Sequence, residues 1–407
     1  MNGLPFAYDE VAGGFMNKKV LCFVLSLCIG AAACFPAGVF AEKEQGEAVQ
    51  TAQSDALGVS AQSAALIEAD SGRVIFVKNG EERLPIASTT KIMTALLTLE
   101  ASNLDTYFTV DPNAIKVEGT SMGLQEGDQV TLRILAAGML LASGNDAANS
   151  AALKVGGSLD EFAIMMNKRA AQIGMKDSNF VTPSGLDAQN HYSTALDMAK
   201  LARAALQNPD FSAICSQKSM KLSYGNPPYD RWLSNHNKLL KSYPDCIGVK
   251  TGFTKKAGRC LVSAAERDGV TLICVTIKAP SDWDDHRKML DYGFSQVQAV
   301  ELSGEVPGTI PVVGGVSDQV TPMVQVAPKA SVSSEDAGKI EMKIVSQPFL
   351  YAPVKQGDCI GEMRYYLNGE LLKSAPLTAK ETVAADERVP ETSFWDKIKS
   401  WFAGWGK

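Results

Sequence analysis

Hydrophobic and polar positions repeat with different periods along the chain, and the changes of period outline its organisation. The apolar segments 64–68 and 74–77 flank Asp70-Ser71-Gly72-Arg73, and this arrangement predicts a β-hairpin. From Ser88 to about Gln207 apolar residues recur three and four positions apart, which is typical of amphipathic helices. A clear example is the set Leu132, Leu135, Ala136, Met139 and Leu140. We therefore expect a helix-rich stretch after the first hairpin.

Strand character returns in the second half of the chain. Segments 246–250, 259–264 and 271–277 are rich in β-branched and apolar residues and are expected to form adjacent strands. A helix over Asp284–Phe294 is expected to follow them. Strands at both ends of a helical middle predict one sheet, assembled from the two chain ends, with helices packed on it.

Residues 298–385 differ in composition, being rich in Val, Pro and Gly. Apolar and polar residues alternate over 339–345, and Asn368-Gly369 is the preferred sequence of a two-residue hairpin turn. We expect a small all-β domain here, with no visible catalytic cluster.

The first 41 residues have the pattern of a signal peptide. A basic start at Asn17-Lys18-Lys19 precedes an apolar run over 20–34, which is short for a membrane span, and Val39-Phe40-Ala41 predicts cleavage after Ala41. Residues 1–15 suit such a peptide poorly, so Met16 is a candidate initiator. Lipidation at Cys34 is a weaker alternative. Residues 42–57 are polar without an apolar period and predict a flexible leader.

The hydrophobic pattern changes again in the C-terminal segment 390–407. Its large apolar residues fall on one face of a helix and include three of the five tryptophans of the chain: Phe394, Trp395, Ile398, Trp401, Phe402 and Trp405. Aromatic rings of this kind favour the membrane–water interface, so residues 391–407 predict a membrane-anchoring amphipathic helix. The alternative is a terminal helix docked on the protein's own core.

The net charge and the cysteine and histidine counts argue against several classes of function. A net charge of −6 gives no basic surface for nucleic acid, so no nucleic-acid partner is expected. Five cysteines remain after the predicted signal peptide, and their scattered spacing does not suggest a metal site. At least one of the five must lack a partner within the chain. With three histidines in 407 residues, few imidazoles are available as a general base.

Ser88 and Lys91 lie three apart at the predicted start of a helix, where their side chains can meet. Serine is a weak nucleophile that needs a base, and lysine serves as one only if burial or a second cation lowers its pKa. The alternative without catalysis is a serine that caps the helix, followed by a solvent-exposed lysine. The spacing alone is common by chance, so other motifs must decide.

Two further stretches supply that chemistry. Ser143-Gly144-Asn145 follows an apolar helix and offers a hydroxyl for proton relay and an amide for orientation, although Ser, Gly and Asn also simply end helices. Lys250-Thr251-Gly252 ends a predicted strand and offers the second cation, a hydroxyl for a carboxylate, and a glycine that permits close backbone approach. An ordinary strand end with an exposed lysine is the alternative.

Together these motifs, S-x-x-K, S-x-N and K-T-G in this order, resemble the penicillin-interacting serine enzymes. The similarity is to the low-molecular-weight penicillin-binding proteins, serine-type D-alanyl-D-alanine carboxypeptidases, over residues 60–297. It extends to segments 127–131, 141–148, 180–187, 191–195 and 250–260. The implied fold is an α/β (α+β) fold of the β-lactamase and transpeptidase type, in which an antiparallel sheet carries helices on both faces beside a helical subdomain. The implied domains are a catalytic domain over 58–297 and the small all-β domain over 298–385.

The resemblance also implies roles for residues of this chain. Ser88 would attack the carbonyl between the two terminal D-alanines of a peptidoglycan stem peptide, and Lys91 would take its proton, kept neutral in part by Lys250. Ser143 and Lys250 would help pass a proton to the leaving D-alanine, and Asn145 would orient the substrate and Lys91.

The remaining implied contacts bind the substrate. The backbone N–H groups of Ser88 and Phe253 would form an oxyanion hole, Thr251 and Thr254 would hold the terminal carboxylate, and Gly252 would leave room for the substrate backbone. No metal or organic cofactor is implied. β-Lactam antibiotics would act as covalent inhibitors.

Two other functions remain open at this point. One is a β-lactamase resembling class A, although no persuasive glutamate for deacylation lies between the second and third motifs. The other is a non-catalytic muropeptide-binding protein. The additional β domain and the amphipathic C-terminal segment argue against a simple secreted β-lactamase. We expect an exported protein, held at the outer face of the cytoplasmic membrane by residues 391–407.

Overall fold

The computed structural model describes residues 57–386 apart from Ser303, Glu305, Pro307 and Ser334. The predicted signal peptide, the predicted anchor and all of the predicted leader except Leu57 lie outside the described residues. Within the described residues no helix is long and apolar enough to cross a membrane.

Eight α-helices and a 3₁₀ turn precede the β-rich C-terminal region in the part of the chain that the structure describes. The 3₁₀ turn is Ala87–Thr90. The helices are α1 Lys91–Leu99, α2 Leu132–Leu140, α3 Asn145–Gly156, α4 Leu159–Gln172, α5 Ala195–Leu206, α6 Pro209–Cys215, α7 Leu239–Ser242 and α8 Asp282–Gln296.

The strands fall into a first group and a C-terminal group. The first comprises β1 Ser63–Glu68, β2 Val74–Lys78, β3 Phe108–Thr109, β4 Gln129–Val130, β5 Ser219–Gly225, β6 Pro228–Ser234, β7 Cys246–Thr254, β8 Gly258–Arg267 and β9 Val270–Ile277. The C-terminal group comprises β10 Gln298–Glu301, β11 Ile310–Val313, β12 Gln319–Val320, β13 Pro322–Met323, β14 Lys329–Val332, β15 Ile340–Ser346, β16 Leu350–Tyr351, β17 Cys359–Leu367 and β18 Glu370–Ala379.

The central sheet has the order β2-β1-β9-β8-β7 and is antiparallel throughout. Strand β1, from the start of the described chain, pairs with β9, which is more than 200 residues later in the sequence. Strands from both ends of the segment 63–277 therefore form one sheet, as predicted, and β7 occupies one edge.

Alternating side chains of the sheet enter two separate cores. Ala65 and Ile67 of β1 face the core that contains α1 and α5, while Ala64 and Leu66 face the core that contains Met289 and Leu290 of α8. Because successive side chains of a strand point to opposite faces, both faces of the sheet are covered by helices. This confirms the predicted layers.

Local sequence explains where the helices begin. Thr131, Ser158 and Thr194 precede α2, α4 and α5 in extended conformation, and each side-chain oxygen accepts a hydrogen bond from the backbone N–H three residues later. This N-cap satisfies one donor that the first turn of a helix leaves unpaired.

The predicted helix-rich stretch is interrupted in two places. Residues 100–131 and 173–194 contain loops and the short strands β3 and β4 instead of helix. The prediction of a helix-rich stretch is nevertheless confirmed, because α1 to α5 all fall within residues 88–207. The two loops are fixed by side-chain hydrogen bonds that periodicity does not reveal. Asp146, for example, accepts hydrogen bonds from the backbone N–H groups of Met122, Gly123 and Leu124.

The C-terminal region has the all-β character that its alternation predicted. Strands β17 and β18 form a hairpin whose turn residues Asn368 and Gly369 have φ of 53° and 85°, the left-handed conformation that the Asn-Gly sequence favours. Its core includes Met363, Tyr365 and Leu377. The five cysteines in the described residues form no disulfide.

Gly293 of α8 lies against the sheet without space for a side chain. A Cβ atom at this position would lie 2.6 Å from Leu272 Cδ1 and 2.8 Å from Leu66 Cδ2. We expect Gly293→Ala to lower the free energy of unfolding by about 1–3 kcal/mol through overpacking, despite the better helix propensity of alanine. Urea denaturation would measure this. Ser295→Ala, at an exposed position of the same helix, is the control and should be nearly neutral. An equally neutral Gly293→Ala would contradict this packing.

Candidate active site

The segment around Ser88 is a tight turn and not the first turn of an α-helix. Ala87–Thr90 forms the 3₁₀ turn, and α1 begins at Lys91. Thr89 Oγ1 donates to the carbonyl of Ile86 at 2.6 Å, which holds the turn closed. Ala87 has φ of 47°, a strained conformation for a residue with a Cβ. Backbone strain is thus concentrated at the residue before Ser88.

Lys91 is fully buried and its amine has three polar neighbours. Lys91 Nζ lies 2.9 Å from Ser88 Oγ, 2.6 Å from Asn145 Oδ1 and 2.6 Å from the carbonyl oxygen of Ser184. The last two atoms can only accept hydrogen bonds. A neutral amine that donates to both has its lone pair left for the Ser88 hydroxyl proton. The geometry therefore suits Lys91 as a base.

The orientation of Asn145 is fixed by a second contact. Its Nδ2 donates to the carbonyl of Glu118 at 2.6 Å, so its oxygen must face Lys91. Gly119 lies so close that a Cβ there would be 2.7 Å from Asn145 Nδ2. The loop that begins at Glu118 thus fixes the Nδ2 side of the Asn145 amide, while the oxygen faces Lys91.

Ser143 and Lys250 form the second half of the site. Ser143 has φ of 58° and lies in the turn that leads from α2 to α3, two residues before Asn145. Lys250 Nζ, on edge strand β7, donates to Ser143 Oγ at 3.0 Å and to the carbonyl of Thr251 at 2.8 Å. One short turn therefore presents Ser143 to Lys250 and Asn145 to Lys91.

The electrostatics of the two lysines are coupled. Burial lowers the pKa of Lys250 from 10.5 to about 7. Burial, and then the positive charge of Lys250, hold the pKa of Lys91 well below its usual value, although Asp146 opposes this. The structure thus contains both causes by which a lysine pKa can fall.

Residues 251–254 form the C-terminal end of β7, the strand that carries Lys250. Gly252 packs against the turn itself, because a Cβ there would lie 3.0 Å from Ile86 O and 3.1 Å from Ser88 N. The close approach in the structure is therefore to the chain's own backbone. Phe253 is 66% exposed. Thr254 Oγ1 already donates to Asp187 at 3.0 Å, which leaves Thr251 as the better placed hydroxyl for a substrate carboxylate.

Sequence reasoning missed several supporting residues. The Ser184 carbonyl on Lys91 is a backbone group, and no residue type signals it. The Asp146 contacts to the 122–124 loop, and the Glu118 carbonyl behind Asn145, also depend on loop paths that no periodicity predicts. Asp146 directly follows the Ser143-Gly144-Asn145 motif, and an acid in the first turn of a helix was the available signal.

Comparison with known proteins agrees with this arrangement. A family model described as D-alanyl-D-alanine carboxypeptidase matches residues 48–281, and a model of the C-terminal domain of penicillin-binding protein 5 matches residues 294–385. The chain belongs to the D-alanyl-D-alanine carboxypeptidase family. It is thus a serine peptidase, as the three motifs indicated.

Relatives of this carboxypeptidase extend over most of its length. The D-alanyl-D-alanine carboxypeptidase DacF of Bacillus subtilis is 32% identical over 342 residues, covering 80% of this chain and 86% of the relative. DacC of Escherichia coli is 30% identical over 384 residues, covering 86% and 92%. Penicillin-binding protein 5 of Haemophilus influenzae aligns with a TM-score of 0.59 at 27% identity, over 80% of this chain and 98% of that one. The predicted fold class is confirmed.

The buried Lys250 should reduce the stability of the carboxypeptidase at neutral pH. Its folded-state pKa of about 7 lies below the ordinary 10.5, so the unfolded chain binds more protons between these values and stability rises with pH across that window. We expect Lys250→Met to raise the Tm by several degrees at pH 7 and by much less at pH 10. Differential scanning calorimetry at both pH values checks this. A Tm difference independent of pH would show that Lys250 keeps an ordinary pKa.

Proposed function

We propose that Ser88 is the nucleophile of a D-Ala-D-Ala carboxypeptidase that removes the terminal D-alanine from peptidoglycan stem peptides. The observation that carries this proposal is the buried Lys91 amine, 2.9 Å from Ser88 Oγ with two obligate acceptors on its other side. Family membership supplies the substrate class and the reaction with β-lactams.

Acylation begins with transfer of the Ser88 proton to Lys91 while Oγ bonds to the carbonyl carbon between the two D-alanines. The N–H groups of Ser88 and Phe253 stabilise the resulting oxyanion, because such donors act on charge that develops only during the reaction. When the carbonyl re-forms, the C–N bond breaks, and the leaving amine takes a proton from the Ser143 hydroxyl. Lys250, whose Nζ lies 3.0 Å from Ser143 Oγ, reprotonates Ser143, and the proton that Lys91 accepted from Ser88 replaces it on Lys250, so Lys91 is neutral again. D-alanine departs and Ser88 holds the acyl group as an ester.

Deacylation returns the enzyme to its starting state. A water molecule gives one proton to the neutral Lys91 and adds its hydroxyl to the ester carbonyl carbon, after which the bond to Ser88 Oγ breaks and Oγ takes that proton back from Lys91. Asn145 keeps Lys91 oriented through both half-reactions. The positive charge of Lys250, together with the Thr251 hydroxyl, attracts the terminal carboxylate of the substrate.

Covalent labelling tests the central residue. Mass spectrometry after incubation with benzylpenicillin should find one adduct, on the peptide that contains Ser88. Ser88→Ala should abolish both the adduct and D-alanine release, because it removes the atom that forms the ester. An adduct at another residue, or D-alanine release that survives in Ser88→Ala, would refute the assignment.

The same experiment addresses the two other functions left open by the sequence. A β-lactamase would release hydrolysed penicillin rapidly, whereas a carboxypeptidase holds a stoichiometric adduct. A binding protein without activity would retain muropeptide affinity and give neither adduct nor product. The Lys91 geometry favours the carboxypeptidase over the binding protein, since binding alone gives no reason to bury an amine against a hydroxyl.

For location, we propose an exported enzyme held at the outer face of the cytoplasmic membrane by residues 391–407. The support is the apolar and aromatic face of this segment in the sequence. The β-rich domain over 298–385 stands in the chain between the catalytic domain, 58–297, and this anchor, and would act as a spacer between them.

Deletion of residues 391–407 tests the anchor. We expect the shortened enzyme to stay in the supernatant when phosphatidylglycerol-containing vesicles are sedimented, while the full chain pellets with them. D-alanine release from a soluble substrate should not change, because the deletion leaves the site intact. Continued sedimentation of the shortened chain would contradict the proposal.

A further inference from the structure

His191 is a buried residue that the reaction described above does not use. Its Nδ1 accepts hydrogen bonds from the backbone N–H groups of Val181 at 3.0 Å and Thr182 at 3.3 Å. Because Nδ1 is an acceptor, the neutral ring carries its proton on Nε2. The Nε2 atom lies 2.8 Å from Thr90 Oγ1. The hydrogen bonds therefore determine both the tautomer and the direction of donation.

The chain of hydrogen bonds continues to the residue before Ser88. Thr90 Oγ1 donates its own proton to the carbonyl of Ala87 at 2.8 Å. Ala87 is the residue with φ of 47°, and a strained backbone conformation of this kind persists only where the surrounding structure holds it. The series His191 Nε2–H, Thr90 hydroxyl and Ala87 carbonyl supplies such a restraint.

The same carbonyl is confined on its other side. A Cβ at Gly185 would lie 2.1 Å from Ala87 O and 2.7 Å from Thr90 Oγ1. Gly185 has φ of 78°, which also favours glycine. The Ala87 carbonyl therefore lies between a hydroxyl that donates to it and the Gly185 backbone, which approaches it more closely than a residue with a Cβ could.

We propose that His191 is a positioning residue for the nucleophile: through Thr90 it holds the strained Ala87 peptide, and thereby sets the direction of Ser88 Oγ toward Lys91 and the substrate. This inference rests on Ser88 being the nucleophile. It adds a residue that makes no contact with the reacting atoms and acts through two intervening groups.

A direct role in proton transfer does not fit His191. Both ring nitrogens are committed to partners other than Ser88 and Lys91. Burial also lowers the pKa of His191 to about 4, so the ring is neutral at the pH where Lys91 acts as a base. A charged ring would place a proton on Nδ1 against two backbone N–H groups. His191 is thus suited to a fixed orientation.

Two substitutions separate the two nitrogens. His191→Asn keeps an oxygen near Nδ1 for the loop amides and removes the donor to Thr90. His191→Gln places an amide N–H near Nε2 for Thr90 and removes the acceptor for the loop. The neighbouring Pro183 carbonyl is held independently by Thr94 Oγ1 at 2.6 Å, so the loop contact to Lys91 should survive in His191→Gln.

The measurements are the rate constant of acylation by benzylpenicillin and the Tm of the full chain. Each variant loses hydrogen bonds of a buried ring, so both should have a lower Tm, and His191→Gln at least as low as His191→Asn. The rate of acylation separates them. We expect His191→Asn, which loses the donor to Thr90, to acylate about fivefold more slowly, since one neutral hydrogen bond has about that worth, and His191→Gln to stay within about twofold of the wild type. Similar acylation rates in the two variants would overturn the proposal.

Thr90 supplies the second test. Thr90→Val removes the relay and should slow acylation, whereas Thr90→Ser keeps the hydroxyl and should restore most of it. Adding His191→Asn to Thr90→Val should slow acylation no further, because residues that act in series are not additive. Additive losses would show that His191 affects acylation by another route, and would overturn the relay.

His286 provides a matched control. It is another buried histidine, with Nδ1 2.6 Å from Ser263 Oγ and Nε2 2.9 Å from Thr276 Oγ1, in the layer between the sheet and α8. His286→Asn should lower the Tm without a selective change in acylation. An equal loss of acylation in this control would make the His191 effect merely structural. Failure of the proposed function is seen separately, as an adduct on a residue other than Ser88.

Discussion

The structure depends most on the burial of two lysines in one polar cluster. A charged amine loses its hydration on burial, and two such charges also repel each other. Burial beside Lys250 favours the neutral form of Lys91, which avoids this cost. The two N–H bonds of the neutral amine donate to the oxygens of Asn145 and Ser184. The low pKa of Lys91 is therefore a consequence of packing and not an intrinsic property of the residue.

This requirement explains much of the surrounding architecture. Lys250 lies on β7, at the edge of the central sheet, and reaches the cluster from that edge. The interior of the sheet packs against apolar cores on both faces. Ser143 and Asn145 reach opposite lysines because the turn between α2 and α3 is short, and Asp146 ties that turn to the neighbouring loop. Two apolar cores stabilise a site that is itself electrostatically unfavourable, as is common in enzymes.

The sequence predicted the parts of the molecule that follow regular patterns. The closing of the sheet by both chain ends followed from strand periodicity, and the Asn368-Gly369 hairpin from turn chemistry. Ser88, Lys91, Ser143 and Lys250 were singled out by three motifs that occur together in one order, since each motif alone is common by chance, and the structure brings these residues together in two pairs. Loop paths could not be predicted in this way. The Ser184 carbonyl and the Glu118 carbonyl are backbone groups, and their positions depend on tertiary contacts. The 3₁₀ turn at Ala87 likewise depends on Thr90 and Gly185, whose partners are distant in sequence.

The position of β7 has a consequence for the maturation of the protein. Ser88 and Lys91 become neighbours as soon as one local turn forms, but Lys250 lies 107 residues beyond Ser143 and arrives only when the sheet closes. On the proposed mechanism, Lys91 is a base only when it is buried beside Lys250, so a partly folded chain in which Lys91 is hydrated leaves Ser88 without a base. Chemical reactivity then depends on the pairing of β7 with β8, which brings Lys250 to the site. A molecule that reacts with Ser88 is also a reporter of native sheet closure, and a misfolded chain carries the same motif as an inert serine.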